Sequence, residues 1–367
     1  MFFSVSQSID QRFPNNEYCD GVWINLDNGW HRSGNSFSKG YADNYCSILI
    51  DDVINISHSV PRSFPLWYGT DIITNLPTPQ AVSQVWADDS ITMTRQGHIS
   101  VVKTHLDLGC YNNLTSLDQA LNAVQNYLND AAYYLKKYNV KNLKLFCSGG
   151  VDTLLLYALL THHDIEFELV TEEHYEYDAF VCANDYALKQ FWSYKQIHHW
   201  IDPTWLVTGS CGDEYLLRGP TVVAWLTAWH DICFQELLDK NPQAYHYHYF
   251  NRYKDLWQQS WTDRKILQKE CATRADLNIH ILDNLVNDHQ YWHLGNTVTW
   301  TPLKNINLVK SLLQCDIHDL LPQFLDAGLT KQLISRYDSQ LLEFVSDYKN
   351  HNSKQYLKDF FHYHDQR

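Results

Sequence analysis

Leu143-Lys144-Leu145-Phe146 runs directly into Cys147-Ser148-Gly149-Gly150-Val151-Asp152-Thr153, and then into Leu154-Leu155-Leu156-Tyr157-Ala158-Leu159-Leu160. The first run reads as a short buried strand and the last, from Thr153, as an apolar helix. Between them the glycines let the backbone turn tightly and bring its N–H groups against an anion. The helix that follows adds the positive end of its dipole. Ser148 and Thr153 carry hydroxyls suited to phosphate oxygens. Asp152 can sit beside a polyphosphate only if a cation intervenes, which implies Mg²⁺. The Gly-Lys-Ser/Thr ending of a Walker loop is absent, and a loop of this other type usually serves attack at the α-phosphate, with pyrophosphate leaving. The bland alternative is a tight turn without a ligand. Strand before and helix after favour nucleotide binding.

Working outward, Leu117, Leu121, Val124, Leu128 and Leu135 recur at helical spacing behind Thr115-Ser116, which can cap the first turn. Lys136-Lys137 closes that helix at its negative end. After the phosphate loop come a strand from Ile165 to Val170, a helical stretch around Ala179 to Trp192, and a strand at Trp205-Leu206-Val207. This alternation predicts an α/β fold: a parallel sheet with helices on both faces. From about residue 221 the chain reads mostly helical.

Residues before about 110 read as β. Val22 to Leu26 runs into Asn28-Gly29, a dipeptide that favours a hairpin turn. Ser47-Ile48-Leu49-Ile50 is a short apolar run. Ile91 to Thr94 and His98 to Val102 flank Arg95-Gln96-Gly97 as a second hairpin. The expected organisation is a small β-rich domain over residues 1–112 and an α/β domain with a helical C-terminal part over 113–367.

Composition bounds the function classes. Hydrophobic residues make up 45%, ample for a packed core rather than a disordered chain. The net charge of −14 repels a phosphate backbone on average and disfavours nucleic acid as a partner. The nine cysteines are odd in number and scattered, with no Cys-x-x-Cys pair, which suits reduced thiols in a cytoplasmic protein better than a disulfide framework. Met1 to Gln7 lacks a basic flank followed by a long apolar run, so no signal peptide is expected. No apolar run approaches the length of a membrane span.

At this point the chain resembles a known family, the asparagine synthetase-like enzymes of the PP-loop superfamily (adenine nucleotide alpha hydrolase-like fold). Ser148 to Thr153 is similar to the family's Ser-Gly-Gly-x-Asp-Ser. Thr208-Gly209-Ser210-Cys211-Gly212-Asp213-Glu214 is similar to Ser-Gly-x-Gly-x-Asp-Glu, which in the family helps bind magnesium pyrophosphate. Thr301-Pro302-Leu303 with Leu308-Val309, and Gly328 to Ile334, resemble two later segments, the second of which carries the family's catalytic lysine. The matches keep the family's order over roughly residues 115–345.

Pro65-Leu66-Trp67-Tyr68 resembles a string in the family's N-terminal glutaminase domain. That domain normally begins with a nucleophilic Cys at position 2. Phe2 stands there in this chain, and the β-rich segment is about half the family's usual length. The expectation is therefore a remnant domain and no glutamine hydrolysis.

The resemblance implies ATP and Mg²⁺ as cofactors. Ser148, Gly149, Gly150, Val151, Asp152, Thr153, Val170 and Gly209 would contact the nucleotide, and Asp152 and Asp213 would hold the metal. Lys331 and Asp213 would be catalytic. The implied reaction adenylates a substrate carboxylate and joins it to an amine, on a small molecule or peptide. Lys331 would stabilise the negative charge that builds on the adenylate. A homo-oligomer is compatible with the sequence.

Each assignment has a simpler reading beside it. Asp213-Glu214 can cap a following helix, and Lys331 can be a solvated helix lysine. Val298, Lys304 and Asn305 depart from the family's residues on the acceptor side. Glu172-Glu173-His174 reads equally as a ligand contact or a solvated loop. His162-His163 and Tyr245 to Tyr249 lack zinc-site spacing and read as packing and surface groups. Two further functions remain in play: adenylation of a nucleobase carbonyl, and a degenerate homologue acting as an interaction protein.

Overall fold

A computed structural model of the chain describes residues 4–6, 23–26, 29–32, 46–50, 53–58, 67–69, 72–74, 83–84, 90–94, 96–102, 115–137, 140–147, 150–170, 204–209, 212–218, 223, 226–227, 231–244, 258, 262, 297–300, 302–345 and 354–366. The helical stretch expected at 179–192, the string at 245–249, and Phe2, Glu172, Glu173 and His174 lie outside the described residues.

The first strands are β1 (Ser4–Ser6), β2 (Trp23–Leu26), β3 (Gly29–Arg32), β4 (Cys46–Ile50) and β5 (Val53–His58). They are followed by β6 (Trp67–Tyr68), β7 (Ile72–Thr74), β8 (Ser83–Gln84), β9 (Ser90–Thr94) and β10 (Ile99–Val102). They pair antiparallel in a six-stranded sheet of order β10-β9-β5-β4-β3-β2 and a four-stranded sheet of order β1-β7-β6-β8. Leu26 pairs with Gly29, so the first hairpin's connection is residues 27–28, one position earlier than Asn28-Gly29 suggests. Asp27 and Asn28 are themselves residue types suited to such turns. In the second hairpin Gly97 adopts φ 84°, a left-handed conformation open to glycine, and its N–H donates to the Thr94 carbonyl at 2.9 Å.

A long helix, α1 (Leu117–Lys137), opens the second part of the chain. Its first turn is a reciprocal cap. The Ser116 N–H donates to Gln119 Oε1 at 2.9 Å, and the Gln119 N–H donates to Ser116 Oγ at 3.3 Å. Leu121, Val124, Leu128 and Leu135 are buried along one stripe, as their spacing requires. Next come β11 (Leu143–Phe146), α2 (Val151–His162), β12 (Glu168–Val170) and β13 (Thr204–Val207). Then follow α3 (Gly212–Tyr215), α4 (Phe234–Lys240) and β14 (Thr297–Trp300). The chain continues through α5 (Ile306–Leu312), α6 (Ile317–Leu325) and α7 (Gly328–Asp338), a 3-10 turn at Ser339–Phe344, and α8 (Lys354–Asp365).

β11, β12, β13 and β14 form one sheet in which every pair is parallel, in the order β12-β11-β13-β14. The expectation of a mostly helical part beyond residue 221 leaves out β14. Its sequence, Thr-Val-Thr-Trp, is β-branched and aromatic, and it adds to β13 residue for residue from Thr204↔Thr297 to Val207↔Trp300.

α2 is the centre of the core. Val151 and Thr153 through Leu160 are all buried, so it is covered on every side, as a helix apolar all round must be. α7 and α1 pack against it. On a further side Tyr157 meets α8: its ring centroid lies 4.9 Å from that of Phe360, and its hydroxyl is 3.1 Å from His364 Nδ1. Among the described residues, no helix is long and apolar enough to cross a membrane.

Candidate functional site

The strand order marks where a candidate site would lie before any side chain is considered. From β11 the chain goes to β12 on one side, and later returns to β13 on the other. The loops leaving the C-terminal ends of β11 and β13 therefore part in opposite directions above adjacent strands. In a parallel sheet, that divergence opens a crevice at the strand ends. The β11 loop leads to Gly150, Val151, Asp152 and Thr153, and the β13 loop to Thr208, Gly209, Gly212 and Asp213.

The two loops are in close contact. A Cβ added to Gly209 would stand 3.0 Å from Asp152 Cβ and 3.0 Å from the Thr153 backbone nitrogen, so only glycine lets the β13 loop lie on the first turn of α2. A Cβ on Gly212 would stand 2.6 Å from Asp152 Oδ1 and still nearer the rest of that carboxylate. Gly150 precedes α2 in an extended conformation with φ −79° and ψ 156°, and its carbonyl accepts from the Leu154 N–H at 3.2 Å. Val151 and Thr153 are buried.

Arg218 joins the two loops electrostatically. Its Nη2 donates to Asp152 Oδ2, and its Nη1 lies 2.6 Å from Asp213 Oδ1. The Arg218 side chain is 3% exposed, Asp152 15% and Asp213 47%. The guanidinium thus forms the floor, and Asp213 reaches towards solvent. A buried arginine requires such partners, because an unpaired ion in the interior is strongly penalised.

Local backbone geometry aims the arginine. The short helix α3 ends with Leu217 in the left-handed region at φ 58°, and the Arg218 N–H returns to the Asp213 carbonyl at 2.7 Å. This is the six-to-one hydrogen bond of a helix C-cap that usually places glycine where Leu217 stands. A buried leucine there carries backbone strain on the order of 1–2 kcal/mol. The turn brings Arg218 back beside Asp213.

Arg218 is the functional candidate that the sequence reading misses. It stands five positions after Asp213, outside the three- and four-residue spacings that mark helix neighbours. The available signal was a lone charge behind the apolar Tyr215-Leu216-Leu217, all three of which are fully buried.

Other expected residues fall as follows. Ser148 and Gly149 lie outside the described residues. Val170 ends β12 opposite Phe146. Lys331 lies in the first turn of α7, with its ammonium 3.0 Å from Asp326 Oδ2 and its side chain 28% exposed. Val298 pairs with Trp205 within the sheet. The Asn305 side chain accepts the Asn307 N–H at 2.8 Å and caps α5, which gives its residue type a local reason. Lys304, by contrast, is fully buried just past the end of β14, leading into a helix that packs on α3. His162 and His163 pack edge to face, and His163 Nε2 is 2.9 Å from Asn129 Oδ1.

Among the described residues, no group of three or more His, Cys, Asp or Glu side chains gathers around one point. The residues present still fit Mg²⁺, which is commonly held by one or two carboxylates, with substrate phosphates and water completing the shell. Asp152 and Asp213 already share one cation, the Arg218 guanidinium. Comparison with protein-family models and with curated proteins finds no match to the chain.

Proposed function

We propose that the chain is an ATP-dependent, AMP-forming carbon–nitrogen ligase of asparagine synthetase-like character. It adenylates a substrate carboxylate and joins it to an amine without hydrolysing glutamine. The observation that carries this reading is the meeting of Asp152 and Asp213 at the β11/β13 divergence, on the two loops whose sequences resemble the family's nucleotide and pyrophosphate segments.

In this reading Asp152 and Asp213 would hold Mg²⁺, which supplies charge neutralisation for the polyphosphate. The Gly150 to Thr153 turn approaches the phosphates through its backbone. Gly209 keeps the second loop close enough for both carboxylates to face one ligand. Lys331, in the first turn of α7, offsets charge as the carboxylate substrate becomes an adenylate. The protein's contribution is positioning and electrostatic compensation rather than covalent chemistry. The substrate is a small molecule or peptide bearing a carboxylate, with an amine acceptor.

Substrate-dependent exchange of radiolabelled pyrophosphate into ATP tests the proposal. Exchange driven by amino or keto acids is the expected result. Exchange driven by a nucleoside would instead support adenylation of a nucleobase. A second reading, a nucleotide-binding homologue that acts as an interaction protein, draws on the closure of both carboxylates by Arg218. Nucleotide binding without exchange for any carboxylate would favour it.

A further inference from the structure

We infer that Arg218 is a positioning residue that keeps a divalent cation out of the Asp152–Asp213 site until a polyphosphate arrives. The inference rests on the ligase reading for the identity of that polyphosphate and for Asp152 and Asp213 as the ligands of the cation. It starts from charge. Two carboxylates and one guanidinium leave the trio singly negative, and the guanidinium is held within salt-bridge distance of both acids. A divalent ion entering there meets a fixed positive charge a few ångströms away, in surroundings where Arg218 is 3% exposed and poorly screened.

The arginine cannot withdraw to water. The Leu217 turn, the Arg218 N–H bond to Asp213 and the buried run Tyr215-Leu216-Leu217 hold its backbone in the floor of the site. Losing its acids to a metal would take two ion partners from a guanidinium that is 3% exposed, which is disfavoured. A polyphosphate reverses the balance. It brings several negative charges, compensates the guanidinium, and supplies the oxygens that complete a magnesium shell. Metal and polyphosphate should therefore bind with strong mutual dependence, and the size of that dependence is set by Arg218.

The test is an equilibrium titration of Mn²⁺, read by the electron paramagnetic resonance of the free ion, with and without the α,β-methylene analogue of ATP. The full chain is used as wild type, R218M, R218Q and R218K, each checked for folding by circular dichroism. Wild type is expected to bind Mn²⁺ alone weakly and about tenfold or more tightly with the analogue. R218M and R218Q should bind Mn²⁺ alone about tenfold more tightly than wild type and gain little from the analogue. R218K keeps the charge and should follow wild type.

Folded neutral variants that bind Mn²⁺ alone no more tightly than wild type overturn the inference, even if the analogue binds and the ligase reading stands. An R218K that gains as much as the neutral variants also overturns it, because charge would not be the cause. Should neither neutral variant fold, wild type decides: tight binding of Mn²⁺ alone, unchanged by the analogue, refutes the inference. If the neutral variants gain Mn²⁺ affinity but the analogue binds to none of the proteins, the antagonism is upheld and the polyphosphate dependence falls with the ligase reading.

Discussion

Arg218 and Asp152 lie 66 positions apart in the chain, yet form a buried ion pair that ties the turn after β13 to the first turn of α2. The same guanidinium reaches Asp213, but that carboxylate is 47% exposed and water compensates much of its loss. Most of the energetic weight therefore falls on Asp152. Replacing Arg218 by Ala should cost about 3 kcal/mol of unfolding free energy, because it removes the ion partner of a carboxylate that is 15% exposed. Urea denaturation measures it, and a loss below about 1 kcal/mol would show that the pair is not structural.

Gly209 and Gly212 should respond differently to alanine. The Gly209 methyl would press on backbone, at 3.0 Å from the Thr153 nitrogen, which cannot yield without moving α2. We expect G209A to lose about 1–3 kcal/mol of stability. The Gly212 methyl would strike the tip of the Asp152 side chain, which can rotate. G212A should displace that carboxylate, lose part of the stability of its pair with Arg218, and reduce pyrophosphate exchange by about a hundredfold. Thermal melts set against exchange rates separate the two effects.

Lys331 pairs with Asp326 at 3.0 Å, and the partners are 28% and 50% exposed. A pair so open to water contributes under about 1 kcal/mol to stability. K331M should therefore melt close to wild type. If Lys331 stabilises charge on the adenylate, the same substitution should lower exchange by about a hundredfold or more. Equal exchange in wild type and K331M would remove Lys331 from the site.

The far end of α2 predicts a pH window. Asn129 Oδ1 lies 2.9 Å from His163 Nε2 and accepts the Tyr337 hydroxyl at 2.9 Å. Burial lowers the His163 pKa below its ordinary 6.5, with His162 and Lys136 acting in the same direction and Asp164 opposing. The fold keeps this imidazole neutral, so its contribution is present above pH 6.5 and is lost as pH falls through the lower, folded value. Burial raises the Tyr337 pKa well above its ordinary 10.0, with Arg336 opposing. That contribution is present below pH 10.0 and is lost as pH rises towards the folded value. H163Q should flatten the acid limb of stability against pH, and Y337F the alkaline limb. Denaturant midpoints across the pH range check both.

Thiol accessibility gives a fold-level test. Cys233 is exposed, whereas Cys147 and Cys315 are buried, and burial also pushes the Cys315 thiol up and away from the reactive thiolate. Alkylation mapped by peptide mass should mark Cys233 well before the other two. Early labelling of Cys315 would contradict the packing of the turn between α5 and α6 against the residues that lead into α1, made through the Thr115–Cys315 contact.

Legibility in the sequence followed the range of the interactions. The α1 stripe was readable because Leu121, Val124 and Leu128 repeat at the period of the helix they build. The hairpin at β9 and β10 was readable from Gly97, whose positive φ is a local demand. β14 was not, because a four-residue strand carries too little periodicity and owes its place to the edge of β13. In the sequence Lys304 stands out only as a departure from a motif, while its complete burial depends on the elements that close around it.

The sequence by itself determined the strand at Leu143–Phe146 and the apolar helix through Leu160, since each is specified by neighbours within a few positions. It also placed Asp152 and Asp213 at the ends of two such units. Only the tertiary structure decided that β13 lies beside β11, that Gly209 rests on α2, and that Arg218 lies between the two acids. The reason is physical. Parallel pairing and buried ion pairs join segments that no local periodicity connects, and a buried charge takes its partners from the space around it.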